Sequence, residues 1–234
     1  FDYEMYLQVD YKKRESYLVK TGTKPSAYEK AFVGINKSFH AANISDKVDT
    51  SGNQYVINSK GELVGALHYA LFQQRLIRSS SGQFDRNSWV TKEYKEKRGN
   101  TDQLITRFDP KTNKVNFIRG NQFKSSSAYI PSVDVLSIAY QFLNRELPSK
   151  EFKLSVTDGK SIKQYSMRRG EMQIINFQGK PTESTRFYKV VTKDDPTSLE
   201  IWYSNKDKWP LKYVIGFKDQ YGATIKADLV KVSQ

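Results

Sequence analysis

Histidine occurs in this 234-residue chain only at His40 and His68, and cysteine does not occur, so the side chains that most often do metal or nucleophilic chemistry are scarce. That composition excludes disulfides, thiolate metal sites and thiol nucleophiles, and it leaves too few imidazoles for a multi-histidine centre. Neither histidine stands in a His-Glu-x-x-His pattern. Gly159-Lys160-Ser161 has the ending of a phosphate-cradling loop, but the glycine needed five residues earlier is Leu154, and the segment is expected to be a hairpin turn. Asp194-Asp195 would be an acid pair if both carboxylates faced one substrate, yet Pro196 marks the pair as a turn. No Gly-x-Ser-x-Gly elbow occurs. The expectation is a chain with no catalytic residues, no cofactor and no metal.

Aromatic side chains are the better lead: 15 Tyr, 13 Phe and 3 Trp. Rings in such number suit the inner face of a curved sheet, which is either packed solid or holds an apolar ligand. Trp202 is expected on the face opposite Ile201 and Tyr203, and Trp209 at a strand entrance before Pro210.

The elements that must position these rings are strands. From Glu151 to Gln234 apolar and polar residues alternate, as in Phe152, Leu154 and Val156 against Lys153, Ser155 and Thr157. Asp158-Gly159, Arg169-Gly170, Gln178-Gly179, Asp194-Asp195-Pro196, Asn205-Lys206-Asp207 and Tyr221-Gly222 supply breaks, giving an antiparallel meander with one dry face. Earlier, strands are expected at Asp2 to Val9, around Tyr17 to Val19 after a basic turn, and at Gln54 to Ile57. A hairpin is expected over Ala31 to Ile44 and a turn at Ser79 to Gly82, with Gln103–Phe108 and Lys114–Arg119 flanking a further turn. A short helix is expected near 63–70.

One longer helix is expected at 132–147. Ser132 would cap it, Asp134 would complement its dipole, Pro148 would stop it, and Val135 through Leu143 would cover most of its circumference with apolar groups. Burying it in a chain of strands calls for a sheet curved around it. The fold class read here is therefore mainly β: a strongly curved antiparallel sheet, an open or half barrel, wrapped around the 132–147 helix. Residues 1–26 read as an N-terminal extension and 27–234 as one curved-sheet domain.

Net charge is +13, from 38 Lys and Arg against 25 Asp and Glu, so the molecule is expected to attract anions such as lipid headgroups, lipopolysaccharide or nucleic acid. No run is long and apolar enough to cross a bilayer as a helix. The chain begins at Phe1 without an initiator methionine, as expected after signal-peptide removal or for a piece of a longer precursor.

Several short segments then resemble, in order and spacing, the exported bacterial family known as domain of unknown function 3108. They are Gly65 through Phe84 with Arg75, Ser80 and Gly82; Arg107-Phe108-Asp109; Asp134-Val135-Leu136-Ser137 leading to Tyr140; Val156 through Lys160; Ile201-Trp202-Tyr203-Ser204; Trp209-Pro210-Leu211-Lys212; and Tyr221 through Ile225. The resemblance is best from about residue 27 onward. It implies export to the periplasm, a curved antiparallel sheet and no assigned catalytic residue, and export makes a lipid or anionic envelope component a better partner than nucleic acid.

Two functions are expected from these readings. The first is a non-catalytic periplasmic binding protein for a lipid or other apolar ligand, lined by Tyr69, Phe72, Tyr140, Phe142 and Tyr213, with Arg75, Arg78 and Lys212 at a basic rim. The alternative is an envelope interaction protein with a filled core that contacts a protein or glycan.

Overall fold

The computed structural model describes residues 1–22, 38–65, 75–85, 88–128, 131–217 and 222–233. The expected alternation is realised as one 15-stranded sheet. Its first part comprises β1 (Asp2–Val9), β2 (Phe39–Ser51), β3 (Gln54–Leu63), β4 (Arg75–Asp85), β5 (Ser88–Arg98), β6 (Leu104–Asp109), β7 (Lys114–Arg119) and β8 (Gln122–Ser127). The second comprises β9 (Ser132–Asp134), β10 (Phe152–Thr157), β11 (Ile162–Phe177), β12 (Lys180–Lys189), β13 (Ser198–Ser204), β14 (Pro210–Phe217) and β15 (Ala223–Lys231). Strands β2 to β8 run outward in sequence order from one side of β1, and β15 back to β9 from the other. Every pairing is antiparallel except β9 with β10. Strand β1 thus joins the two parts, with Tyr3 opposite Ile44 on one side and Leu229 on the other.

The sheet curls until its parts meet without closing. The Trp89 N–H reaches the Gln141 side chain at 3.2 Å, and Gly159 lies against Tyr94 and Leu104. The union is made by side chains and turns, and β6 to β8 run on past it as a flap whose Val115 and Phe117 pack with Ile162.

The segment expected as a central helix is a correction. No helix spans 132–147: Ser132–Asp134 is β9, Ser137–Tyr140 is one turn of 3-10 helix, and irregular turns follow, with Asn144 at positive φ. The expected burial is present, since Val133, Leu136, Ile138, Tyr140, Phe142 and Leu143 are all core residues. The first residues of the expected helix are committed to the sheet instead. Ser132 to Asp134 pair in parallel with Ser155 to Thr157, and the Asp134 carboxylate takes the N–H groups of Leu136 and Ser137 at 2.9 and 3.0 Å.

Other expectations also change. The strand expected around Tyr17 is α1 (Tyr11–Thr21), capped by Asp10, whose side chain accepts from the Lys13 N–H, and ended by left-handed Gly22. Arg169-Gly170 is an irregularity inside β11 rather than a break, and Ser79 to Gly82 lie in mid-β4. Leu63, where a short helix was expected to begin, ends β3; residues 66–70 lie outside the described residues, as do 31–37 of the expected first hairpin. The β6–β7 turn falls where expected.

Candidate functional site

Strand register brings an ionisable row onto the inner surface. Asp46 of β2 faces Ser59 of β3, Ser59 faces Arg78 of β4, and Arg78 faces Glu96 of β5. Asp46 is in phase with Ala42 and Ile44 along β2, and is only 5% exposed. Its Oδ2 accepts from the Tyr140 hydroxyl at 2.7 Å, and the Tyr3 hydroxyl lies 3.3 Å from that of Tyr140. Arg78 donates from Nη2 to Ser59 Oγ at 3.0 Å. Glu96 accepts from Tyr94 and from Arg98, both at 2.8 Å. Two polar atoms in this row have no partner among the described residues: Asp46 Oδ1 and Arg78 Nε. Burial works against the Arg78 charge, but Asp46, then Tyr213, Tyr94 and Glu96, outweigh it and hold the guanidinium above its usual pKa.

Opposite this polar wall stands an apolar one, from β1 and β13 to β15. Its inner positions change along the strands. Tyr3, Ala227, Leu229, Leu211, Ile201 and Tyr203 are buried, whereas Met5, Ile225, Tyr213, Ile215 and Leu199, further along the same faces, keep partial exposure. The buried end is packed with rings: Phe1 lies 5.3 Å from Tyr140 and 6.4 Å from Trp209, which in turn meets Phe177 at 6.1 Å. The interior therefore has a floor of packed rings, with the Asp46–Ser59–Arg78–Glu96 row on one side and partly exposed apolar residues on the other. The Lys189 ammonium, itself buried, pairs with Asp195 at 2.8 Å, and Lys163 reaches the same carboxylate at 3.1 Å. Burial would raise the Asp195 pKa, but the bonds from Lys189 and Lys163 bring it below the usual carboxylate value.

The eight expected site residues fall in different places. Tyr140 and Phe142 belong to the packed floor, Tyr213 to the apolar wall and Arg78 to the polar wall. Arg75 is exposed and 3.3 Å from Glu62. Lys212 is on the outer face, its ammonium 4.5 Å from the Trp202 ring, and Trp202 Nε1 donates to Gln173 at 3.0 Å. Tyr69 and Phe72 lie outside the described residues. Asp46, Ser59 and Glu96 were missed, although an acid in phase with Ala42 and Ile44 is a legible sign of an inward charge.

Catalytic candidates are engaged elsewhere. His40 Nε2 contacts the Asn43 side chain at 2.8 Å, Asp158 Oδ1 accepts from the N–H groups of Lys160 and Ser161 in a tight turn, and Asp195 is held in its ion pairs. Among the described residues no group of three or more His, Cys, Asp or Glu could hold a metal, and no helix is long and apolar enough to cross a membrane.

Two hollows open on the surface away from the interior. One of about 320 Å³ is lined by residues including Asp10, Lys13, Glu200 and Gly222; the other, about 510 Å³, lies between the β6–β8 flap and the Gly159–Lys160 turn. Neither includes an expected site residue.

A family model described as "Protein of unknown function (DUF3108)" matches residues 7–230. Among solved structures, a β-barrel-like protein of domain of unknown function DUF1849 from Brucella abortus is similar, with a TM-score of 0.50 at 9% identity, covering 98% of this chain and 95% of that one. This likeness concerns the fold alone. No curated protein matches the chain.

Proposed function

We propose that this chain, which belongs to the DUF3108 family, is a non-catalytic binding protein that takes an amphipathic, lipid-like molecule into the mouth of its curled sheet and acts in the periplasm. The compartment follows the resemblance read from the sequence. The single observation that carries the ligand class is the pairing of walls: Met5, Leu199, Tyr213, Ile215 and Ile225 on one side, the Asp46–Ser59–Arg78–Glu96 row on the other. An acyl chain would lie on the first wall, and its polar head would meet Arg78 Nε and Asp46 Oδ1, the two atoms of that row without partners among the described residues.

Protein purified from envelope should carry extractable lipid, and the lipid-stripped protein should bind a fluorescent fatty-acid probe. Arg78→Met is expected to weaken the probe about tenfold, equivalent to about 1.4 kcal/mol, while Arg75→Met on the outer surface leaves it unchanged. Absence of both lipid and probe uptake would remove the proposal.

A further inference from the structure

The two margins of the sheet are treated differently. β9 is tucked into the core, with all three of its residues buried, whereas among the described residues β8 pairs only with β7 and presents an exposed margin. The Ala128 N–H bonds the Asn113 carbonyl at 2.9 Å, and the alternation of an antiparallel pair then turns Gln122, Lys124 and Ser126 toward β7. It also turns the N–H and C=O groups of Phe123, Ser125 and Ser127 outward. β8 contains no proline and no bulge, two of the devices that normally blunt a margin of this kind.

The two faces of β8 have different chemistry. Phe123, 67% exposed, shares one face with Ile118, its partner in register. Lys124 and Gln122 share the other with Phe117 and Arg119. The 510 Å³ hollow at this margin is lined by Leu104, Phe117, Ile118 and Phe123 together with Arg119, Lys124 and Lys160, and no acidic residue lines it. None of these three cations is in an ion pair among the described residues. A neighbour placed beside Lys124 would have to be acidic, and one beside Phe123 apolar. A second copy of β8 fails the first requirement, because antiparallel pairing of two such strands sets lysine near lysine.

We propose that β8 is a strand-addition site for an extended segment of a partner protein in which acidic and apolar residues alternate. Backbone bonds to Phe123, Ser125 and Ser127 would give affinity, and Arg119, Lys124 and Lys160 would set the charge of the partner. This rests on the outer margin and is independent of any ligand in the mouth.

The test titrates the isotope-labelled full chain with a short synthetic peptide of alternating glutamate and valine, and with its lysine counterpart, following amide resonances. The glutamate peptide is expected to shift Phe123, Ser125 and Ser127 in a saturable way, the lysine peptide not. Ser125→Pro removes an outward N–H without touching the β7 pairing and should weaken the glutamate peptide at least tenfold with the thermal midpoint unchanged. Lys124→Glu should shift preference toward the lysine peptide. Several results would overturn the site: equal response to both peptides, shifts confined to other strands, undiminished binding by Ser125→Pro when Lys124→Glu is also without effect, a dimer that Ser125→Pro abolishes, or binding of anionic vesicles with no peptide response.

Discussion

Asp134 fastens one side of the curl to the other. Its Oδ2 accepts from Ser80 of β4 at 2.6 Å, Thr91 of β5 at 2.7 Å and Ser137 at 2.9 Å, while Oδ1 takes the two backbone N–H groups of the following turn. Asp134→Ala would leave these buried donors without an acceptor. The expected loss is about 4 kcal/mol in urea unfolding, several orphaned groups at roughly 1–3 kcal/mol each with partial rearrangement. Asp134→Asn retains one carbonyl oxygen and should lose about half as much; a loss below about 1 kcal/mol for alanine would show that the union is held elsewhere. In the sequence this residue reads as complementing the dipole of a helix that does not form, although the free N–H groups it is expected to face are the ones it meets. The three hydroxyls that meet its other oxygen are not legible, because two belong to strands more than forty residues away.

At the scale of elements, β4 explains why a serine run can be misread. Ser79 to Gly82 has the composition of a turn, yet Ser80 serves Asp134 and Gly82 lies where two neighbours crowd the backbone. A Cβ on Gly82 would stand 2.1 Å from the Val90 carbonyl oxygen and 2.7 Å from the Tyr55 ring. Gly82→Ala should therefore destabilise by about 3 kcal/mol, since a backbone oxygen of the neighbouring strand cannot step aside as the end of a flexible side chain would. Unfolding in denaturant would measure this, and wild-type stability would refute the crowding. Local composition misled here because polarity and absence of a side chain were serving buried contacts. The clean alternation of β10, β13, β14 and β15 suffered no such competition, and those strands fall close to their expected places.

The whole molecule is a vessel of buried phenols. Tyr3, Tyr55, Tyr94, Tyr140, Tyr203 and Tyr213 all have pKa values above the ordinary one, in each case chiefly through burial, and Tyr165 is pushed up to about 12 by burial and then by Asp195 and Asp158. The unfolded chain would release these protons near pH 10 and the folded chain retains them. Their contribution to stability is thus fully present below about pH 10 and lost as pH rises through the folded values. Tyrosinate absorbance should climb in two stages, the second coinciding with loss of the sheet signal in circular dichroism. A single stage near pH 10 with the sheet intact would contradict the interior described. The curved sheet was readable from alternation and from the need to bury an apolar segment; that segment's own conformation was not, since a peptide buried on all sides leaves the same pattern whether helical or not.

Strand β1 has a temporal consequence. Its neighbour β15 is made some two hundred residues after it, and the loop that must be drawn shut to join them is among the longest in the chain. Wherever the chain emerges amino end first, β1 therefore waits with one flank unmated until the tail follows, and during that interval it depends on whatever keeps sticky flanks apart.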